Sequence, residues 1–87
     1  MNDDPPRQRT LTLVSRNGCH LCHEMGVALF PLANELNFRV EVLDVDSDPE
    51  LVARYGANLP VLLHGNEELC QYFLETAKVR DYLGKIC

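Results

Sequence analysis

Strand-type and helix-type hydrophobic patterns alternate along this chain, and this alternation limits the possible folds more than any other feature. The stretch from Thr10 to Ser15 alternates and is rich in β-branched side chains, which predicts a strand. Apolar residues then recur at helical spacing, which predicts a helix over residues 20–37 that Pro31 should kink. Residues 38–45 alternate again and predict a second strand. A strand–helix–strand opening implies a parallel pair joined by a right-handed crossover.

The second half of the chain predicts a hairpin of strands between two helices. Residues 47–50 combine a capping side chain, an early proline and an acidic residue, as at a helix start, and Gly56 ends that short helix. Two strands are expected at residues 59–64 and 67–73, followed by a last helix at 76–86. The order β-α-β-α-β-β-α predicts an α/β fold in which helices flank one mixed four-stranded sheet.

Length and charge exclude several classes of protein. With 87 residues the chain forms one domain, expected at residues 10–87 after a disordered lead at residues 1–9. The formal net charge of −5 argues against nucleic-acid binding, which needs a basic surface. No apolar run approaches the roughly 20 residues of a membrane-spanning helix, and the polar start does not resemble a secretory signal. We therefore expect a cytoplasmic monomer without membrane partners, in a reducing environment where close cysteines are typically catalytic or metal-binding.

The candidate site is the segment Cys19-His20-Leu21-Cys22, at the junction of the first strand and the first helix. Unpaired N–H groups and a partial positive charge at a helix start stabilise a thiolate, and hence a nucleophile. We expect Cys19, nearer the helix start, to be the attacking thiol and Cys22, one turn inside, to be the resolving thiol. Arg16 and protonated His20 would each add a positive charge, although Arg16 is equally consistent with a solvated side chain and His20 is more typical of an exposed loop residue.

Two features of the sequence resemble the glutaredoxins, and among them the small bacterial glutaredoxin-like proteins. One is the basic residue three positions before the CxxC pair, Arg16; the other is Leu59-Pro60 at the start of the third predicted strand. The resemblance covers about residues 10–86 and implies a thioredoxin-like fold with Pro60 in the cis form. It also implies thiol–disulfide exchange through Cys19 and Cys22, with an extended substrate pairing beside Leu59.

The chain departs from the glutaredoxin pattern in two places. His20 and Leu21 stand where an aromatic residue and often a proline lie between the cysteines, and residues 72–76 replace a Gly-Gly-x-Asp turn that holds glutathione. The resemblance implies that substrate binds at the cysteine segment and at the proline segment. The expected substrate-binding residues are Arg16, His20, Leu21, Leu59 and Pro60. We expect no bound cofactor and no metal. The partner is a disulfide-bearing protein or a small thiol, and the reductant is left open between glutathione as co-substrate and a thioredoxin-reductase-type protein.

Other interpretations of the same cysteines stay open at this stage. Cys19 and Cys22 are candidate ligands for zinc or an iron–sulfur cluster, although a structural zinc site commonly needs two such pairs. The sequence Cys-x-x-Cys-His also has the spacing of c-type haem attachment, which would require export. A third alternative is a non-catalytic docking module with incidental cysteines. Cys70 is expected to be a small core residue, and the terminal Cys87 an exposed thiol.

Overall fold

The computed structural model describes residues 9–86, and it confirms the predicted order of elements. Over this range four strands and three helices follow one another, and a 3-10 turn at Val45–Ser47 lies between β2 and α2. Their bounds are β1 Thr10–Ser15, α1 His20–Glu35, β2 Arg39–Asp44, α2 Pro49–Tyr55, β3 Val61–His64, β4 Glu67–Gln71 and α3 Thr76–Ile86. The predicted disordered lead covers residues 1–9, of which only residue 9 is described. The predicted exposed thiol of Cys87 also lies outside the described residues.

The four strands of this part of the chain form one mixed sheet in the order β2-β1-β3-β4. β1 and β2 are parallel, with Leu13 opposite Val42, as expected for strands that a crossover helix connects. β3 lies antiparallel to β1, with Val14 opposite Val61, and β4 returns antiparallel to β3. This topology confirms the predicted fold class. It also brings the end of β1 and the start of β3 to the same end of the sheet.

Apolar side chains fill both faces of the sheet because β1 is buried on both sides. Leu11 and Leu13 point towards α1 and α3, where they join a cluster that includes Leu29 and Val79. Val14 points the opposite way. It joins a smaller cluster, which consists of Val45, Val61 and Leu63, with Leu43, Leu51, Tyr55 and Leu59 packed against it. The central strand is thereby held on both faces, and the loop that follows it starts from a fixed position.

The first helix starts where the sequence predicts and ends two residues earlier. It continues through Pro31 as one element and stops at Glu35. Leu36 forms the C-cap and Asn37 then adopts a left-handed conformation (φ 62°), which turns the chain into β2. The boundary prediction was wrong because Asn37 leaves the helical region of φ/ψ, which the apolar spacing alone does not reveal.

β1 has the predicted bounds, whereas β2, β3 and β4 are shorter than predicted, for reasons that lie in the backbone. β2 ends at Asp44 because the next residues form the 3-10 turn, in which Ser47 Oγ donates to the carbonyl of Asp44 at 2.6 Å. β3 begins at Val61, after a cis peptide bond between Leu59 and Pro60. β4 ends at Gln71 because Tyr72 has a positive φ of 68°. Within residues 9–86, no helix combines the length and apolarity needed to cross a membrane.

Candidate active site

Cys19 is the N-cap residue of α1 and lies in the loop that leaves the central strand. Its backbone is extended (φ −87°, ψ 108°), and its Sγ accepts a hydrogen bond from the backbone N–H of Cys22 at 3.1 Å. The turn before it contains Gly18 with φ 76°, a conformation that glycine adopts without strain. The sulfur thus occupies the capping position of a 16-residue helix, where N–H groups and the helix dipole favour negative charge.

Cys19 and Cys22 are joined by a disulfide, with their Cα atoms 5.2 Å apart. Cys22 is buried, with 5% of its surface exposed, whereas Cys19 is half-buried. A reactant that arrives from solvent can therefore reach the sulfur of Cys19 more readily than that of Cys22. This asymmetry follows from the helix, because Cys22 lies one turn inside it and packs towards the sheet.

The cis peptide bond between Leu59 and Pro60 confirms what the resemblance implies for this position. Pro60 is fully buried, and Leu59 packs against the smaller apolar cluster. Because Val14 lies opposite Val61, one further step of the same antiparallel register places Pro60 beside Ser15, at the start of the loop to Cys19. The sheet therefore brings the cis-proline segment and the cysteine pair to one end of the molecule.

Tyr72 supports the cis-proline segment, a role that sequence reasoning missed. Its backbone N–H donates to the carbonyl of Pro60 at 2.9 Å, and its hydroxyl donates to Oδ1 of Asn58 at 2.9 Å. The next residue, Phe73, is 66% exposed and lines a small apolar hollow of about 230 Å³ together with Leu21. The available signal was an asparagine and a tyrosine on either side of a predicted hairpin, which is too common a pattern to indicate a contact.

Both candidate cations of the site are paired with carboxylates. The guanidinium of Arg16 makes two hydrogen bonds to Asp46, at 3.0 and 3.1 Å, and these bonds raise the pKa of Arg16 further above its ordinary value. His20 Nε2 lies 2.9 Å from the carboxylate of Glu24, one helical turn away, and its side chain is 81% exposed. The charge that Arg16 could offer a thiolate is therefore largely compensated by Asp46.

Cys70 is a free cysteine on β4, far in sequence from the Cys19–Cys22 disulfide, and it is 4% exposed. Burial raises the pKa of its thiol, which keeps the group protonated and weakly reactive. Among the described residues, no three His, Cys, Asp or Glu side chains come together in a group that could hold a metal ion.

These features together define the thioredoxin fold: a mixed sheet in the order β2-β1-β3-β4, a cysteine pair at a helix start and a cis-proline before β3. Solved structures agree. Thioredoxin 1 from Thermosipho africanus superimposes with a TM-score of 0.62 and 17% identity, covering 88% of this chain and 97% of that one. Fasciola hepatica thioredoxin gives 0.60 and 20% identity, with 92% and 83% coverage.

Within this fold the chain belongs to the glutaredoxin-like domain family (DUF836), whose sequence profile matches residues 10–84. It is similar to the uncharacterized protein Rv0508 of Mycobacterium tuberculosis, with 32% identity over 78 residues, or 84% of this chain and 80% of the relative. The solution structure of protein Ne2328 from Nitrosomonas europaea is 36% identical and superimposes with a TM-score of 0.76. That match covers 94% of this chain and 98% of the other.

Proposed function

We propose that this protein is a thiol–disulfide oxidoreductase of the glutaredoxin-like class, with Cys19 as nucleophile and Cys22 as resolving thiol. The observation that supports this most directly is the position of Cys19. Its sulfur caps α1 and accepts the N–H of Cys22 at 3.1 Å, while Cys22 itself is buried. A helix start favours the thiolate, and the thiolate is the form that attacks disulfides.

The reduced protein would act in two steps. In the first, the Cys19 thiolate bonds to one sulfur of a substrate disulfide, and the other sulfur leaves as a thiolate that takes up a proton. In the second, the Cys22 thiol gives its proton to solvent and its sulfur attacks that of Cys19. The mixed disulfide then breaks, and the second substrate sulfur leaves and is protonated. Two electrons pass to the substrate, and the Cys19–Cys22 disulfide forms.

The cis-proline segment supplies the surface for an extended substrate. Leu59 lies just before β3, at the end of the sheet where the cysteine pair lies, and its backbone is a candidate to pair with a substrate strand. His20 and Leu21, between the two cysteines, are the other side chains proposed to contact the substrate. Arg16 is already paired with Asp46, so we assign it the weaker role of shaping the loop before Cys19.

The substrate is a disulfide-bearing protein or a small disulfide, and the protein acts as a cytoplasmic monomer without a bound cofactor. Either glutathione or a thioredoxin-reductase-type protein would return the disulfide to the dithiol. The sequence departs from the glutathione-holding turn at residues 72–76, and Tyr72 there makes hydrogen bonds within the protein itself. This favours a reductant other than glutathione.

The test is equilibration of the purified protein in glutathione buffers of graded potential, with the state of each cysteine mapped by mass spectrometry. A reversible Cys19–Cys22 disulfide should titrate between about −120 and −270 mV, the range of active thiol exchangers. Cys19→Ser should abolish reduction of a disulfide substrate, Cys22→Ser should accumulate the mixed disulfide, and the control Cys70→Ala should retain activity. A pair that stays reduced at every potential, or that holds stoichiometric zinc or iron, would contradict the proposal.

A further inference from the structure

A groove of about 360 Å³ lies beside the disulfide, between α1 and the edge strand β2. Both Cys19 and Cys22 line one end of it. Arg16 and His23 also line it, together with three apolar side chains that stay largely open to solvent. These three are Val27 (61% exposed), Phe30 (51%) and Val42 (59%). We call this feature the α1–β2 groove.

Three exposed apolar side chains line the same groove. A single exposed apolar residue is ordinary on a protein surface, and Val52, which is 40% exposed on α2, is such a case. Three that line one concave site are different, because contiguous exposed apolar surface typically marks a place that a partner covers. Val27 and Phe30 are three residues apart on one face of α1, and Val42 faces them from the sheet.

The chemistry proposed for the cysteines determines what would reach this groove. During exchange the substrate cysteine is bonded to Cys19, whose sulfur lies at the groove's end. The residues next to that cysteine are then within one or two peptide units, or roughly 3 to 7 Å along an extended chain. A side chain neighbouring the substrate cysteine can therefore enter the groove. Only an apolar side chain would gain from contact with Val27, Phe30 and Val42.

Charge around the groove adds a second requirement. Asp44 follows Val42 by two residues on β2 and so points to the same face of the strand. Arg16, which lines the groove, and Asp46 compensate each other through two hydrogen bonds, and this leaves Asp44 as the negative charge next to Val42. The rim at Asp44 is thus acidic, and it complements a basic residue placed beyond the apolar one.

We propose that the α1–β2 groove binds an apolar side chain adjacent to the reacting cysteine of a protein disulfide, with a basic residue of the same substrate against the acidic rim. This inference rests on the proposed function and names its substrate class. Small disulfides without neighbouring side chains are then substrates of the cysteine pair but make no use of the groove.

The experiment uses short synthetic peptides whose central cysteine carries 2-nitro-5-thiobenzoate in a mixed disulfide. The reduced protein attacks the peptide sulfur, and nitrothiobenzoate leaves as a coloured thiolate. Cys22 then displaces the peptide thiol from Cys19, so that one protein dithiol is oxidised for each peptide disulfide reduced. Peptides with leucine or serine on both sides of the cysteine should differ about tenfold in the second-order rate constant of this single turnover, in favour of leucine. Lysine beyond the leucine should be preferred to glutamate at low salt, and this preference should fall at high salt.

Substitutions in the α1–β2 groove test whether the groove causes the preference for leucine over serine. Val27→Ser and Phe30→Ser should bring the leucine-to-serine ratio close to one, whereas the matched control Val52→Ser should keep the wild-type ratio. Comparing two peptides within each variant cancels any general change in thiol reactivity. Because both groove positions are more than half exposed, these substitutions should leave the fold intact, and circular dichroism would verify this.

The failure of this inference is distinguishable from the failure of the proposed function. Bis(2-hydroxyethyl) disulfide, which has no neighbouring side chains, reports on the cysteine chemistry alone. If wild-type protein reduces it but shows no preference for leucine, or if Phe30→Ser keeps that preference, the groove proposal is overturned and the oxidoreductase stands. A preference for glutamate over lysine would overturn the assignment of a basic partner. If no disulfide is reduced, both proposals fail together.

Discussion

The hydroxyl of Tyr72 donates a hydrogen bond to Oδ1 of Asn58 at 2.9 Å, and this bond ties the loop after β4 to the segment that precedes the cis-proline. The backbone N–H of Tyr72 holds the same segment from the other side, through the carbonyl of Pro60 at 2.9 Å. Tyr72, whose φ is positive at 68°, thus makes two hydrogen bonds to this segment, one to Asn58 and one to Pro60. Its task is to fix the cis-proline segment beside the cysteine pair.

Replacing Tyr72 by phenylalanine should weaken catalysis without unfolding the protein. The variant Tyr72→Phe keeps the ring and the backbone bond to Pro60 but loses the bond to Asn58. One hydrogen bond of this kind contributes about 0.5–1.5 kcal/mol, so we expect kcat/KM for disulfide reduction to fall between about two- and tenfold. Stopped-flow measurement of disulfide reduction checks this.

The matched control is Tyr82→Phe. Tyr82 bonds His64 Nδ1 through its hydroxyl at 3.0 Å, and His64 lies at the opposite end of β3 from the cis-proline. This variant loses a comparable bond and should lose comparable stability, but it should keep its rate of disulfide reduction. If both variants lost activity equally, the effect of Tyr72 would be one of general stability rather than of positioning.

The ion pair between Arg16 and Asp46 leads to two opposite predictions for the reactivity of Cys19. Asp46→Asn removes the carboxylate that compensates Arg16 and leaves the guanidinium charge free beside the loop to Cys19. The thiolate should then form at lower pH, and alkylation of Cys19 by iodoacetamide should rise at neutral pH. Arg16→Gln leaves the carboxylate of Asp46 uncompensated instead, so the thiolate should form at higher pH and alkylation should fall.

This measurement is best made in a Cys22→Ser background, so that Cys19 is the only member of the pair that reacts. The pH midpoint of alkylation should shift downwards in Asp46→Asn and upwards in Arg16→Gln. Shifts of the same sign in both variants, or no shift in either, would mean that the charges of this ion pair do not act on the Cys19 thiolate, and would contradict this argument.

Pro31 interrupts the hydrogen bonding of α1 from within, and its removal should stabilise the protein. Pro31→Ala restores a backbone N–H at an exposed helical position, where proline costs about 3 kcal/mol relative to alanine. Greater freedom in the unfolded chain offsets about 0.4–1 kcal/mol of this, so that we expect a net gain of about 2 kcal/mol. Urea unfolding at equilibrium measures it.

Pro49 provides the control, because it is the first residue of α2. An N–H at the first position of a helix has no partner within the helix, so Pro49→Ala should bring no gain. An equal increase in both variants would show that the gain does not come from the repaired hydrogen bond in α1, and would contradict the prediction.

The periodicity of apolar residues predicted most of the fold, because strands and helices bury residues at different spacings along the chain. The strand Thr10–Ser15 was predicted to the residue, and α1 was predicted to begin at His20, where it begins. The ends of elements were predicted less well. Asn37 and Tyr72 both adopt a positive φ, which side-chain type alone does not indicate. Hydrogen bonds to Asn58 and Pro60, remote in sequence, hold Tyr72 there. Asn37 belongs instead to the local cap of α1, in which the N–H of Phe38 donates to the carbonyl of Ala33 at 2.8 Å.

In the candidate site, too, the features set by local sequence were predicted and the contacts between remote residues were not. The positions of Cys19 and Cys22 follow from local sequence, since a CxxC motif that opens a helix is visible in the chain. The bond of Tyr72 to Asn58 joins residues 14 positions apart and depends on how β4 pairs with β3. Likewise, the ion pair of Arg16 with Asp46 spans 30 positions and exists because β1 and β2 run parallel and end together.

The buried thiol of Cys70 predicts a pH dependence of stability that a single substitution can isolate. Burial raises the pKa of Cys70 above its ordinary value of 9.0 in the folded protein, while the unfolded thiol keeps the ordinary value. Above about pH 9 the unfolded chain loses this proton and the folded chain retains it. The unfolded state then binds fewer protons, so the free energy of unfolding falls as the pH rises, until the folded thiol also ionises.

Cys70→Ala removes this contribution and should flatten the alkaline side of the stability profile. The variant should be less stable than wild type at pH 7, where the buried thiol only fills space, and the difference should shrink by pH 10. Urea unfolding of both oxidised proteins measures this, because the Cys19–Cys22 disulfide then does not titrate. Tyr82, whose pKa burial also raises, contributes equally to both proteins and cancels. Parallel profiles from pH 7 to 10 would mean that Cys70 ionises as readily in the folded chain as in the unfolded one, and so is not shielded on β4.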